Sequence, residues 1–386
     1  MWCRLTKEAN RMKKRISLRK VSALLLFFLL TVSASVGISF AKYAGVFSTD
    51  NSSFQLTIKG GQPGYLASGN NWYRYSKNSR YCKTATNTIS DWRYIKSVTF
   101  QPDRSTMPSS YDGYCVWDAS DKHDESYMAY LKLSDKTITV YGNENGTILA
   151  NPNSSYMFHI DNVSNIKYPT LYGLENIDTS NVTNMSWMFY SCHYSAINGI
   201  SNWNVSKVTN MYYTFGYNYM SSLDLSKWDM SNVTNASEMF NYCINLKELD
   251  TSNWTLVNLK NAQGMFRNCN SIQVINAANW DTRNLTNTSS MFFRCFALTT
   301  ILATDKFDLS RVTSSGVMFS SDDKLVGGNG TKCDGLNNID AAYARIDKEG
   351  QPGYFTDINA TQSLVYSATG DDETANGFGF APDIVS

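Results

Sequence analysis

A repeat of about 26 residues governs this chain between Leu174 and Phe319, a period typical of stacked-repeat architectures, and it recurs roughly six times. Each unit reads aromatic, x, x, Ser or Asn, x, apolar, x, Asn, then Met or Ala, and closes on Met-Phe and often Cys. The clearest copy is Trp228–Phe240, WDMSNVTNASEMF, followed by Cys243. Trp203, Trp228, Trp254 and Trp280 recur at this one spacing, and Phe307 takes the next equivalent place. A second register runs Phe189, Phe215, Phe240, Phe266, Phe292 and Phe319. Two aromatic registers at one spacing define a repeat array. One unit cannot bury its own apolar side, so its neighbours complete the core.

The chemistry inside the unit follows from stacking. If successive units lie about 4.8 Å apart, identical residues form internal ladders of Trp on Trp and Phe on Phe. Asn and Ser at fixed positions suit corners, where their side chains hydrogen-bond nearby backbone groups. Asn181-Val182-Thr183 and Asn232-Val233-Thr234 match the glycosylation acceptor pattern, but they recur in phase, and a corner role accounts for them. In Cys243–Trp254 (CINLKELDTSNW) the Leu-Asp-x-Ser segment predicts a short strand running into a turn, and AQGMF after Asn261 predicts one helical or 3₁₀ turn. Cys192, Cys243, Cys269 and Cys295 each lie three residues after a Phe, with Asn218 in that place in the second unit. A ladder aims them all one way, whereas zinc needs ligands converging as a tetrahedron. Buried free thiols acting as small apolar side chains fit better than a metal cluster or disulfides.

Charge enters through the N-terminus. The first 41 residues hold eight of the 34 Lys and Arg and one of the 33 Asp and Glu, so residues 42–386 carry 26 basic and 32 acidic side chains. That mildly acidic remainder has no basic block to attract nucleic acid. Lys13, Lys14, Arg15, Arg19 and Lys20 precede the mostly apolar run Val21–Phe40, and Ser39 and Ala41 offer small positions before a cut at Lys42. Residues 1–41 therefore read as a secretory signal, with a retained membrane anchor as the alternative. Contact with a membrane is expected only if residues 21–40 stay uncleaved. Of eight cysteines, Cys3 lies in this leader. The odd seven that remain cannot all pair intramolecularly, and the fold must hold largely by packing. Cys82 and Cys115 are candidates for a disulfide, and the sequence leaves the pairing of Cys82, Cys115 and Cys333 open.

Residues 42–170 read as a mostly β domain or N-terminal cap. Ser53–Lys59, Trp92–Phe100, Tyr127–Leu133 and, most strongly, Thr137–Tyr141 alternate as strands, with turns at Gly60–Gly64 and Gly142–Gly146 and a further apolar segment at Tyr156–Ile160. Trp72–Tyr81 interleaves Tyr with Arg and Lys, a pattern of half-buried strands or of stacking on sugars and bases. His123, His159 and His193 lack metal-like spacing, and Asp118, Asp121, Asp124 and Glu125 lack the glycine and terminal glutamate of a calcium loop. No catalytic residue, cofactor site or metal site is expected. Residues 171–320 are expected to be the six repeats, 321–358 a C-terminal cap and 359–386 a polar, flexible tail.

The array resembles the roughly 25-residue surface-protein repeats of Gram-positive bacteria and mycoplasmas that are grouped with BspA-like leucine-rich repeats. Asp178-Thr179-Ser180-Asn181-Val182-Thr183-Asn184-Met185, then Met188-Phe189 and Cys192, carry the likeness, as do Asp229–Phe240 and Asp281–Phe292. Three flanks are also similar: Trp117–Leu131, Asn151–Phe158 and Gly327–Thr356. The resemblance implies a mainly β chain with an LRR-like or β-solenoid, right-handed array, on an exported protein without catalytic residues. There is no LPxTG motif.

The expected function is a non-catalytic surface or secreted protein of a Gram-positive bacterium whose array binds host or bacterial surface proteins or glycans, since extended arrays present wide faces. The alternative is a self-associating spacer or matrix protein, and an enzyme in residues 42–170 is the least supported. Tyr212, Tyr213, Tyr217 and Tyr219 break the period in the second unit and form the candidate binding patch.

Overall fold

The computed structural model describes residues 95–110, 114–121, 126–132, 134–143, 146–159 and 169–360. The leader 1–41, the segments Ser53–Lys59 and Trp72–Tyr81, Cys82, His123 with Asp124 and Glu125, and the tail from residue 361 lie outside them. The described chain is mainly β, with short strands, most of them parallel, and two single 3₁₀ turns. Among the described residues no helix is long and apolar enough to cross a membrane.

An N-terminal sheet comes first. Strands β1 (Ser97–Gln101), β2 (Tyr114–Asp118), β3 (Met128–Lys132), β4 (Thr137–Tyr141) and β6 (Thr170–Tyr172) pair in the order β2-β3-β4-β1-β6. β2, β3 and β4 form an antiparallel meander, while β1 runs parallel to β4 and β6. Period-two alternation explains its two faces. Val98, Phe100, Trp117, Leu131, Ile138 and Val140 join the main core, while Val116, Tyr130 and Tyr141 form a small cluster on the other side. Strand β2 was not expected from the sequence. Its Cys115 is buried and disulfide-bonded.

The repeats stack in parallel register. Short strands β5 (Ile148–Leu149) and β7 (Ile177–Asp178) pair, as do β8 (Ser222–Leu223) and β9 (Glu248–Leu249). β10 (Val274–Ala277), β11 (Thr300–Ala303) and β12 (Phe355–Asp357) make a third parallel set. A row of parallel bridges links Asn153, Asn184, Asn210, Asn235, Asn261, Asn287 and Ser314. The unit ending at Phe266 shows how one repeat is built. Asp250 Oδ1 accepts the Ser252 N–H at 2.8 Å and turns the chain after β9. Asn258 Nδ2 donates to the Ser231 carbonyl of the preceding unit at 2.8 Å, and Asn261 Oδ1 accepts the Gln263 N–H at 3.0 Å. Met265 N–H then closes one turn on the Ala262 carbonyl at 3.1 Å. Asn232 and Asn284 make the same bond as Asn258 into the unit before, at 2.7 Å each. The corner asparagines thus tie each unit to the one before it through backbone carbonyls that a bare turn would leave to water.

A stack of rings fills the interior. Phe158, Phe189, Phe215, Phe240, Phe266, Phe292 and Phe319 lie nearly parallel, with interplanar angles of 5° to 14° and centroid spacings of 4.8 to 5.8 Å. The stack thus begins one ring earlier than the sequence register, at Phe158, whose interval to Phe189 is longer than the period. Both ends finish edge-on: Phe100 meets Phe158 at 87°, and Tyr354 meets Phe319 at 84°. Such T-shaped contacts terminate a stack without exposing a ring face. Trp228, Trp254 and Trp280 run alongside, fully buried, and each indole N–H donates to a carbonyl of the previous unit, as does that of Trp203. Phe307 ends this second row, stacked on Trp280 at 6.2 Å.

Candidate functional site

Two positions in each unit adopt left-handed backbone. They lie two residues before and two residues after the stacked Phe. The first row is Tyr156, Trp187, Tyr213, Glu238, Gly264, Ser290 and Val317, with φ between 54° and 62°. The second is Ser191, Tyr217, Tyr242, Asn268, Arg294 and Ser321, with φ between 53° and 70°. Only one residue in these rows is glycine, so each unit carries a conformation that costs a side-chain-bearing residue about 1–2 kcal/mol. The return is a ladder of hydrogen bonds. Trp187, Tyr213, Glu238 and Gly264 each donate to the next unit at 2.7 to 3.1 Å, and so do Tyr217, Tyr242, Asn268 and Arg294 at 2.7 to 3.0 Å. The backbone is therefore fixed at these positions while the side chain is left to vary.

In the first units the variable side chains are aromatic. Trp187 is sandwiched between Tyr156 (5.6 Å, 5°) and Tyr213 (4.5 Å, 22°). Tyr217 stacks on Tyr242 at 4.6 Å and 15°. Tyr190 joins the rows edge-on, 5.2 Å from Tyr213 and 5.4 Å from Tyr217. Tyr212 meets both Trp187 and Tyr213 edge-on. His159 sits beside Tyr156 and holds the Tyr190 carbonyl at 2.7 Å through Nδ1. The result is a continuous aromatic strip, half-buried along its length and open at Tyr156 and Tyr242.

Of the four tyrosines singled out from the sequence, Tyr212, Tyr213 and Tyr217 belong to the strip. Tyr219 does not join their ring contacts; it stacks on His193 at 5.0 Å. The sequence reading missed Tyr156, His159, Trp187, Tyr190, Tyr242 and Glu238. Lining the units up column by column on the stacked Phe would have exposed the two variable rows. The remaining singled-out residues are interior: the Trp and Phe registers form the two ring rows. Cys192, Cys243, Cys269 and Cys295 are buried free thiols. Each thiol donates to the carbonyl of the Phe one unit earlier, at 3.0 to 3.2 Å. Asn218 substitutes for the missing Cys by donating to the Phe189 carbonyl at 2.7 Å. Burial pushes the Cys243 thiol up to about 12, so a thiolate is unavailable there at neutral pH.

The electrostatics of the strip follow from partial burial. It raises the phenols of Tyr190, Tyr212 and Tyr217, and that of Tyr213 to about 12, so all four stay neutral donors at neutral pH. Tyr213 Oη accepts from Asn241 Nδ2 at 3.2 Å. Glu238 continues the first row after Tyr213. Burial raises its carboxyl to about 7 against the opposing pull of Arg267. Its Oε2 has no hydrogen-bond partner among the described residues. No group of three or more His, Cys, Asp or Glu among those residues is arranged to hold a metal ion.

No curated protein and no solved structure matches the chain. Residues 153–277 and 261–327 match a family model described as "Mycoplasma protein of unknown function, DUF285". That match starts at the asparagine row, shortly before Phe158, and ends just beyond Phe319. Over residues 153–327, the region that carries both the ring stack and the aromatic strip, this chain is similar to the DUF285 family of Mycoplasma proteins.

Proposed function

We propose that this is a non-catalytic, exported binding protein, and that its repeats form a right-handed, LRR-like solenoid whose aromatic strip is the contact face for a protein partner. One observation carries the reading. Trp187 has both ring faces covered by neighbouring tyrosines, yet the strip remains half-exposed. Rings packed so in the middle of the strip offer edges and hydroxyls rather than open faces. Sugars are held by stacking on free ring faces, so this arrangement favours a protein over a glycan. Tyr and Trp edges supply large, rigid, amphipathic contact area at low entropic cost, as they do in protein–protein hot spots.

A photo-crosslinking residue placed at Tyr242 in residues 42–386 tests this, with one placed at Lys207 as control. The captured protein is identified, remade and titrated. Crosslinking at Tyr242 alone, with saturable binding of the remade partner, supports the reading. A crosslink of the chain to a second copy of itself would move the assignment to a self-associating spacer. Equal capture from both positions would sink it.

A further inference from the structure

The two variable rows do not end with the last tyrosine. In the next two units the same surface columns change chemistry. Arg267 takes the column of Tyr190, and Arg294 takes the column of Tyr217 and Tyr242, held there by φ of 62°. Phe293 lies between them in the column of Arg267. The Arg267 guanidinium is 5.3 Å and the Arg294 guanidinium 5.0 Å from the centroid of that one ring. Neither forms an ion pair among the described residues, and Arg267 Nε has no hydrogen-bond partner there. Two guanidinium groups gathered on one ring repel each other, and the ring quadrupole offsets this only in part. A carboxylate arriving from outside relieves the repulsion by meeting the ends of the two guanidinium groups, in the fork geometry that guanidinium favours; Arg267 Nε itself is buried. Glu238, which feels the charge of Arg267, does not pair with it: it is turned into the interior, 6% exposed, over Gly264.

Resting on the proposed contact face, we infer that its partner is an extended acidic protein segment. Its apolar side chains lie along the strip from Trp187 to Tyr242, and its carboxylates lie on Arg267 and Arg294. Such a segment is complementary to one line of columns that is aromatic in the early units and cationic in the next two. Arg rather than Lys at both positions suits paired recognition of carboxylates.

Short fluorescein-labelled peptides test this by anisotropy. Each joins a Tyr-Pro-Leu-Tyr block to four Glu, four Ser or four Lys, in either order, and is titrated with residues 42–386. In one of the two orders the Glu peptide is expected to bind about tenfold tighter than the Ser peptide, and tighter still than the Lys peptide, with the advantage fading at high salt. Arg267→Gln/Arg294→Gln is expected to erase the advantage and leave the Ser peptide unchanged; circular dichroism checks that the variant is folded. Equal affinity for Glu and Ser peptides, or an advantage that survives the double substitution, overturns the acidic partner. The contact face itself still stands in that case if Tyr217→Ser/Tyr242→Ser weakens all peptides alike. A Glu advantage that needs the arginines but ignores the tyrosine substitutions upholds the anion site and removes the aromatic face. No binding by any peptide counts against both.

Discussion

Glu238 lies folded over Gly264. A Cβ added to Gly264 would stand 2.4 Å from Glu238 Oε2, and the backbone at Gly264 has φ of +58°. The only glycine in the first left-handed row thus sits one unit after the only carboxylate, and its missing side chain is the space the carboxylate occupies. Gly264→Ala is expected to cost about 1–3 kcal/mol, from the left-handed backbone plus displacement of the carboxylate, read by urea denaturation. An unchanged midpoint would mean that Glu238 does not occupy this space in solution.

Burial raises Glu238 to about 7 from an ordinary 4.5, and the sign of its pH effect follows. Between those values the folded chain holds a proton that the unfolded chain has lost. Its contribution is present below about pH 4.5 and is lost as pH rises through about 7. Glu238→Gln is therefore expected to raise the melting temperature more at about pH 8 than at about pH 4.5. A uniform shift across that range would contradict the burial.

Asp322 occupies the cysteine position of the last unit, where it is fully buried. Its Oδ1 accepts the Cys295 N–H at 2.8 Å, and Oδ2 is unpartnered among the described residues. Burial raises the carboxyl from 3.8 to about 8, so it too destabilises the fold progressively as pH climbs from about 4 to 8. Asp322→Asn keeps the acceptor and supplies an amide donor of the kind Asn218 already uses against Phe189. The expected gain is a few kcal/mol, on the order of 2, at pH 8, vanishing in acid, from denaturation at both pH values.

The ring stack predicts the cost of breaking it in the middle. Phe240 is stacked between Phe215 and Phe266, and its carbonyl accepts the Cys269 thiol at 3.2 Å. Phe240→Ala is expected to cost about 3–5 kcal/mol, and Phe240→Leu less, because the cavity is smaller. In the native protein a thiol reagent should label none of Cys192, Cys243, Cys269 and Cys295, and Phe240→Ala should open Cys269 first.

The interior was largely legible in the sequence, and the surface was not. Trp203 to Trp280 and Phe189 to Phe319 announce themselves because a buried ladder demands the same side chain in every unit. Thr137–Tyr141 was legible because five alternating residues suffice for a strand. Phe158 was missed because its interval to Phe189 is longer than the period, so the register is hidden there although the ring is in place. The strip was missed because its positions share a backbone conformation rather than a side chain. Trp187, Glu238, Gly264 and Val317 have nothing in common in sequence; what they share is a left-handed φ. Tyr219 was misleading for the converse reason: it neighbours the strip in sequence, but its column faces His193.

That shared conformation is itself testable. Val317 is β-branched, 41% exposed and held at φ of 54°. Val317→Gly is expected to stabilise the chain by about 1 kcal/mol, since the relief of strain exceeds the added freedom of the unfolded chain. A loss of stability would argue against the left-handed row at the end of the array.

The central claim is that the partner sits where aromatic side chains occupy the left-handed rows. The most direct measurement is the affinity of the captured partner for Tyr217→Ser/Tyr242→Ser and for Lys207→Ala/Lys227→Ala, by calorimetry on folded proteins. Lys207 and Lys227 lie at the corners, bonded to Asn181 and Asn202. The account predicts a loss of about 100-fold for the tyrosine pair and less than about twofold for the lysine pair. Equal losses, or a loss confined to the lysines, would contradict it.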